Sequence, residues 1–342
     1  MLSGIDIDFE KIYSAIPDEI KSGVPSAPAQ TARENGLAFD VIINKILELF
    51  GISLKDNAAF FASLLAFLII VSIFTAVKGG LEKSGFDKAF GFVSSVVLCT
   101  MAYSFVLNGL ALAEEYTERL SNFITALLPA LGTLYAASGN PAAAIGQNVS
   151  LLVGINALAG ISADVVIPLL KIIFALTAAA AVSGVNLSGV CGIIKSAATT
   201  VCVGAFTILG AVLFFTTVLS ASADTLAMRT VKFAAGSFIP IIGSLVGEAS
   251  RSVISSIALI KNSVGVFAVV VVLYIALTPI IALSVKKLAV VLGSAVAKLL
   301  SCDGEAKFLD GVVSLFNLML ALMISSAVYF ILALAIFVKT AV

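Results

Sequence analysis

Histidine is absent from this chain, and charged residues make up only 12% of its 342 residues. Without histidine the chain lacks the commonest general base and the commonest metal ligand of proteins. Its cysteines are scattered and form no CxxC pair, which argues against a structural zinc site or a haem site. We interpret the four of them as small apolar residues of helix packing: Cys99, Cys191, Cys202 and Cys302. No cofactor and no metal site are expected.

Sequence motifs for chemistry are also missing. No GxxxxGK[ST] run occurs, so ATP-driven work would need another subunit. No nucleophile elbow and no paired carboxylates within an apolar stretch are present, and we do not expect an enzyme. The formal net charge is zero, which gives no indication of a nucleic-acid partner.

Apolar residues, by contrast, make up 60% of the chain, and the mean hydropathy is +1.15. This is more apolar surface than a soluble core of this length can bury, so the sequence predicts an all-α, polytopic membrane protein. A helix needs roughly 20 consecutive apolar residues to cross about 30 Å of hydrocarbon. Five segments bounded by charge meet this condition: residues 58–77, 89–113, 199–220, 262–285 and 311–338.

A sixth span is predicted near residues 149–170. The uncharged run that contains it is too long for one straight helix. Five residues are expected to break it into a short piece and a span: Pro129, Gly132, Gly139, Asn140 and Pro141. Residues 172–194 are interpreted either as a seventh span or as a buried re-entrant piece. The predicted fold therefore has about six to eight transmembrane helices with short re-entrant or interfacial helices.

The first 57 residues differ from the rest in carrying many charges and a run rich in proline and glycine. The sequence thus predicts two parts, an extracytoplasmic N-terminal extension at 1–57 and a transmembrane domain at 58–342. Residues 37–50 have the pattern of an amphipathic helix, which would lie on the membrane or pack on protein. No segment before residue 58 resembles a signal peptide, so export requires either that a leader is removed or that the first span pulls a short tail across.

An internal repeat is one interpretation of an offset of 111 residues that relates Pro129 to Pro240 and Pro168 to Pro279. Under this interpretation, residues 127–137 and 238–247 are equivalent short helices that need not cross. Chance similarity in an apolar chain of low complexity is the alternative.

Lysines set the predicted orientation. The segments 78–88 and 286–310, both interpreted as loops, carry several lysines each and are expected on the cytoplasmic side. The N-terminus and the C-terminus are then outside the cytoplasm. The acidic turn that contains Glu114, Glu115 and Glu118 agrees, since it falls at the opposite end of its span from residues 78–88.

Two regions are candidates for function. Asp164 and Lys171 are seven residues apart, hence on one helix face, and form a candidate intramembrane polar pair. They mark either a relay or ion site, or merely the place where the chain leaves the membrane. Residues 229–262 combine glycine, proline and charges between two good spans, which is typical of a re-entrant or interfacial element. Its candidate surface consists of Arg229, Lys232, Pro240, Gly243, Gly247, Glu248, Arg251 and Lys261.

A family resemblance enters at this segment. Residues 232–267 read KFAAGSFIPIIGSLVGEASRSVISSIALIKNSVGVF, and this run resembles the stage III sporulation protein AE family of endospore-forming bacteria. The similarity extends over most of the chain and includes the N-terminal extension and the order of spans. The chain departs from the family in having no visible signal peptide.

The resemblance implies a multi-pass protein of the mother-cell membrane that faces the forespore. Such a protein joins the other proteins of its complex, a separate ATPase subunit among them, in an assembly that bridges the two membranes and sustains late forespore development. Its role would be a membrane platform or a conduit subunit, with membrane lipids and further copies of the chain as additional partners. The family supplies no catalytic residues to carry over.

Two other functions remain open from the residues alone. An autonomous secondary transporter or channel for a small solute would use the repeat and the Asp164 and Lys171 face. A scaffold without a pore differs from a conduit subunit only in lacking a conductive path.

The predicted orientation can be tested with a reporter fused after Lys83. We expect it to be accessible only from the cytoplasm, because residues 78–88 concentrate positive charge. External accessibility of that reporter would reverse the whole scheme.

Overall fold

The computed structural model describes residues 9–21, 24, 39–78, 85–137, 141–185, 187–238 and 243–339, and none of these lies in a β-strand. Nine α-helices and one π-helical segment, Ile161–Val166, are found in this part of the chain. The helices are α1 Phe9–Ser14, α2 Asp18–Lys21, α3 Phe39–Lys78, α4 Gly85–Ala137, α5 Pro141–Gly160, α6 Ile167–Ser183, α7 Ser188–Phe238, α8 Gly243–Leu299 and α9 Asp303–Lys339. The prediction of an all-α chain is confirmed.

Among the described residues, six helical stretches are long and apolar enough to cross a membrane: Val41–Ala76, Ala89–Leu134, Asn148–Ser183, Gly189–Thr216, Ser263–Leu299 and Asp303–Ile336. Each of the six predicted spans overlaps one of them. The apolar windows therefore located the spans, because a helix in hydrocarbon satisfies its own backbone and needs apolar side chains. Charge did not mark their ends, since Glu114 lies within Ala89–Leu134 and Lys286 within Ser263–Leu299.

Residues 172–194 do not form a seventh span. Helix α6 ends at Ser183, and Gly184 adopts a left-handed conformation with φ of 69°, while its amide donates to the carbonyl of Ala180 at 3.0 Å. Glycine has no Cβ to oppose this conformation, so it ends the helix cheaply. Helix α7 then begins at Ser188 and turns the chain back.

The uncharged run is divided as predicted, since α4 ends at Ala137 and α5 begins at Pro141. Pro129 takes no part in the division, because α4 continues through it to Ala137. Leu127, Leu131 and Leu134 on this part of α4 are fully buried. Their packing outweighs the hydrogen bond that the proline removes, since neighbouring helices tolerate such a break in an apolar bundle. Pro279 likewise lies inside α8. The predicted short helix at 127–137 is thus the end of α4, and residues 239–242 of its proposed repeat partner lie outside the described residues.

Two predicted boundaries fall within continuous helices. Residues 39–50 of the predicted amphipathic segment belong to α3, which runs through residue 57 without interruption, and residues 37 and 38 lie outside the described residues. Residues 286–310 are not a loop, since α8 extends to Leu299 and α9 begins at Asp303. Lys286 donates to Asn57 Oδ1 at 3.1 Å, about 30 Å along α3 from Lys78. Lys286 therefore does not lie level with Lys78, and the orientation itself stays a prediction.

Helix α9 lies at the centre of the bundle. It packs against α4, α5, α6, α7 and α8, and most extensively against α8. A tight turn joins these two helices: Cys302 N donates to the carbonyl of Ala297 at 2.8 Å, and Ser301 has φ of 57°. This pattern ends α8 without leaving its last carbonyl groups unpaired. Helix α3 lies at the edge and packs mainly on α8.

Four glycines let side chains of neighbouring helices approach the backbone. A Cβ added at Gly154 of α5 would meet the ring of Tyr329, and one at Gly109 of α4 would lie 2.6 Å from Phe316. A Cβ added at Gly293 would likewise lie 2.5 Å from Leu64 Cδ2, and one at Gly311 would lie 2.5 Å from Thr177 Cγ2. Small residues at helix interfaces are the usual means of close packing in membranes, where apolar surface alone does not drive helices together.

Buried hydroxyl groups join the same helices. Tyr116 Oη of α4 donates to the carbonyl of Met323 at 3.0 Å and lies 2.9 Å from Ser326 Oγ. Tyr329 Oη of α9 donates to the carbonyl of Ser150 at 2.9 Å. Ser150 Oγ in turn lies 2.5 Å from Thr216 Oγ1 of α7. The hydroxyl groups of Tyr116 and Tyr329 thus have partners, as low-dielectric surroundings require.

The glycine contacts lead to a stability prediction. Gly154→Ala should destabilise the chain by about 1–3 kcal/mol, because the new methyl group overlaps the Tyr329 ring. The melting temperature of the detergent-solubilised chain measures this. Gly204→Ala is the matched control, since its Cβ would meet nothing within 4 Å, and it should stay within about 1 kcal/mol of the parent.

A double variant decides whether the Tyr329 ring is the cause. Gly154→Ala combined with Tyr329→Ala should lose less than the sum of the two single variants, because the clash is then absent. Additive losses would contradict the packing at this site.

Candidate functional site

The predicted functional surface at 229–262 lies at the junction of α7 and α8. Arg229 and Lys232 belong to the end of α7, and the positions from Gly243 to Lys261 belong to the first part of α8. Pro240 and the side chains of the other seven residues lie outside the described residues. The segment is thus the continuation of two long helices and not a set of short pieces, whereas its role as a surface stays a prediction.

Asp164 and Lys171 are both exposed, and no ion pair joins them in the described part of the chain. Asp164 belongs to the π-helical segment, and Lys171 of α6 reaches Glu114 of α4 instead, with Nζ 3.4 Å from Oε1. Both charged groups of that contact are about half exposed, at 54% and 50%. The pair of Asp164 and Lys171 stays a functional hypothesis. The contact that the structure adds is the one between Lys171 and Glu114.

The π-helical segment has a local cause. Pro168 follows it and has no amide to donate to residue 164, and in a regular helix its ring would press on that carbonyl. The chain widens here, so that the amide of Ile167 donates to the carbonyl of Ser162, five residues earlier. Ser162 is buried, with its Oγ 3.5 Å from Thr117 Oγ1 of α4. Such wide turns are frequent at functional sites.

A half-buried lysine lies where four helices meet, and sequence patterns missed it. Besides its contact with Asn57 of α3, Lys286 of α8 lies 4.3 Å from the ring centroid of Phe105 of α4. The Phe105 ring stacks on Phe60 at 3.7 Å and meets the edge of Phe316 of α9 at 6.0 Å. Asn57 is only 7% exposed. We name Lys286, Asn57, Phe60, Phe105 and Phe316 the lysine junction.

The lysine junction compensates a costly charge. An ionised lysine inside an apolar bundle loses hydration, and it regains interaction from the amide oxygen and from the negative face of the aromatic ring. Asn57 is itself fixed, since its Nδ2 donates to the carbonyl of Ser53 at 2.7 Å. In the sequence, Lys286 is simply the first charged residue after the apolar window 262–285. The spacing of residues therefore could not predict which side chains of other helices contact it.

A second charged cluster holds the N-terminal helices on α4. Arg119 of α4 donates to both carboxylate oxygens of Glu19, at 2.7 and 3.0 Å, and also to Glu115 at 2.5 Å. The side chains beneath this cluster, spaced four residues apart, are all buried: Ile12, Ile16, Ile20 and Val24. The hydrogen bonds from Arg119 hold the pKa of Glu19 below its ordinary value.

Comparison with known proteins places this architecture in a family. A family model described as stage III sporulation protein AE matches residues 29–341, which include all six candidate spans and the junction of α7 and α8. The chain belongs to the stage III sporulation protein AE family. No solved structure matches it.

One curated relative is the stage III sporulation protein AE of Bacillus subtilis (strain 168). It is 26% identical to this chain over 223 residues, which cover 64% of this chain and 56% of the relative. The family name indicates a sporulation protein and does not suggest an enzymatic activity. The expected family is thereby confirmed, while the activity of the whole protein and its partners belong to the proposal below.

The contact of Glu19 with Arg119 predicts a pH dependence. Because the pKa of Glu19 is lowered in the folded state, its stabilising contribution is present above the ordinary value of 4.5 and is lost as the pH falls through the lower, folded value. The N-terminal helices should therefore leave α4 in acid. The chain contains no tryptophan, so Tyr13→Trp in α1 gives a single reporter whose emission shifts to the red on release.

Two variants control this measurement. Glu19→Gln in α2 should abolish the acid step and weaken docking already at neutral pH, whereas Glu10→Gln, at an exposed position of α1, should retain the step. An unchanged acid step in Glu19→Gln would show that the ion pair with Arg119 does not hold the segment.

Proposed function

We propose that this chain is a membrane platform or conduit subunit of a sporulation-specific transport complex that links mother cell and forespore and is needed for late forespore development. The observation that carries the proposal is the match to the sporulation family over residues 29–341, together with six apolar helices. Under the proposal the chain lies in the mother-cell membrane facing the forespore, with its N-terminus outside the cytoplasm.

The helix lengths support a platform. Helix α4 has 53 residues and α8 has 57, which correspond to about 80 Å each. Hydrocarbon is only about 30 Å thick, so these helices extend well beyond it and present surface to partners. The proposed partners are the other proteins of the sporulation complex, including a separate ATPase subunit, and further copies of this chain.

An autonomous secondary transporter or channel for a small solute is the second candidate. The observation in its favour is the lysine junction, since an ionisable group held between helices of a membrane protein commonly belongs to a transport path. Lys286 would then be essential, whereas in a platform it only fixes helix packing.

Deletion of the gene in its spore-forming host tests the proposal. We expect development to arrest after engulfment with a silent late forespore reporter, because the forespore then lacks the linking complex, and we expect this chain to restore both. Microscopy and reporter activity measure the outcome. Normal spores in the deletion strain would overturn the proposal.

Complementation with Lys286→Met separates the two candidates, with Lys287→Met as the matched neighbour. A platform predicts spores from both variants when both accumulate in the membrane. Loss of spores in Lys286→Met alone, at normal protein level, would favour a transport path through the junction.

A further inference from the structure

A stripe of polar side chains runs along the exposed face of α9. Its members follow one another at spacings of four, three, four and three residues, which keeps them on one side of the helix. They are Asp303, Lys307, Asp310, Ser314 and Asn317. Four of them are exposed, and Ser314 is partly exposed. Beyond the stripe the exposed residues of α9 are apolar, such as Ile324 and Val328.

An ion pair joins the middle of this stripe to α8. Lys298 Nζ lies 2.8 Å from Asp310 Oδ2, and Ser294 Oγ donates to Asp310 Oδ1 at 2.5 Å. The side chains of Lys298 and Asp310 are 55% and 49% exposed, so the pair lies on the surface of the bundle. We name Lys298 and the five residues of the stripe the polar seam.

Contacts with α3 place the ion pair at the depth of the hydrocarbon. A Cβ added at Gly293 would lie within 4 Å of both Leu64 of α3 and Leu309, the neighbour of Asp310. Leu64 belongs to the uncharged stretch 58–77, which is long enough to cross about 30 Å of hydrocarbon. By the helical rise, Leu64 lies about 10 Å from one end of that stretch and about 20 Å from the other.

Contacts with α4 indicate the same depth. Ser94 Oγ donates to Glu305 at 2.9 Å, and Phe316 packs at Gly109. Both Ser94 and Gly109 lie in the uncharged stretch 89–113 of α4. The part of α9 between Glu305 and Phe316, which carries most of the polar seam, is therefore level with apolar segments of two other helices.

Half-exposed charges at this depth need water. A lysine can extend toward the head groups along its apolar stem, but the short side chain of Asp310 cannot reach them. Ionisable side chains within spans almost always face the interior of a bundle or a water-filled cavity. Because Asp310 is on the surface of this bundle, the polar seam faces water that is enclosed by something other than this one chain.

We propose that the polar seam lines a water-filled path across the membrane, which further copies of this chain close on its other sides. A stripe on one helix is a single wall, and a ring of identical subunits completes such a wall by repetition. The inference rests on the conduit form of the proposed function and assigns the wall to α8 and α9. The seam contains two carboxylates and two ammonium groups, so it admits small polar solutes and ions of both signs.

A water-free contact with another protein fits the polar seam poorly. Within the described part of the chain, neither Lys307 nor Asn317 has a hydrogen-bond partner. A protein that covered the seam without water would have to supply a partner for each of these groups, since an unpaired polar group in such surroundings is costly. Water supplies all of these partners.

The test compares two serines that differ in the surface they occupy. Ser314 belongs to the polar seam, and Ser63 is exposed on the apolar face of α3 beside Leu64. Each hydroxyl donates to the carbonyl four residues earlier, at 3.1 Å and 2.8 Å. Ser314→Cys and Ser63→Cys are therefore matched variants, and Asn317→Cys is a second variant of the seam.

The full chain is probed in opened membrane vesicles of sporulating cells with two water-soluble methanethiosulfonates, one carrying a sulfonate and one a quaternary ammonium. Only an ionised thiol reacts, and it forms in water, so Ser314→Cys and Asn317→Cys should react at least about tenfold faster than Ser63→Cys. Both reagents should show this difference. The parent chain, with its four native cysteines, supplies the background, and immunoblots establish equal accumulation.

Two results overturn the proposal. Reaction at both seam variants as slow as at Ser63→Cys shows that no water reaches the seam. Reaction at Ser63→Cys as fast as at the seam shows that this level of the bundle is not in hydrocarbon. Reaction with only one of the two reagents overturns the charge-balanced wall.

Spore formation by the same strains, in a host that lacks its own copy of the gene, reports on the proposed function separately. Seam variants that restore spores but do not react overturn the path alone. Seam variants that react in a host that forms spores without the chain overturn the sporulation function and leave the path.

Discussion

The constraint on which the rest of the structure depends is that a chain surrounded by hydrocarbon must satisfy its backbone internally and then hold its helices together without a hydrophobic driving force between them. The first requirement produces long helices. The second is met around α9, which contacts five other helices. Glycines at the interfaces let rings and methyl groups approach the backbone, and the buried Tyr116 and Tyr329 supply specific hydrogen bonds across them.

Charge is used sparingly in this arrangement, and each cluster joins helices distant in sequence. The lysine junction connects α3, α4, α8 and α9, and the arginine cluster fixes α1 and α2 to α4. Such contacts add little energy where they are exposed, but they restrict how the helices slide and rotate. The pair of Glu114 and Lys171 does the same between α4 and α6.

The spans and the helical class were predictable because hydropathy and charge act locally, through the solvent that each residue meets. Continuity was not. Pro129 has the same chemistry in a loop and inside α4, and only the buried leucines around it decide the outcome. In the sequence, Lys286 indicated the end of a span. In the structure it lies within a span, where the amide of Asn57 and the ring of Phe105 stabilise it. The isoleucines at 12, 16 and 20 carried a four-residue period, which the charges around them obscured.

The match to the sporulation family and the length of the helices support a platform that acts with other proteins. Whether the chain acts as such a platform is tested by purifying the tagged full chain, after mild cross-linking, from sporulating cells and from growing cells that express it. If the chain is a platform, only sporulating cells should yield a membrane complex in which this chain is joined by other sporulation proteins and an ATPase subunit. Recovery of the chain alone from sporulating and from growing cells, in the same detergent, would contradict the platform function.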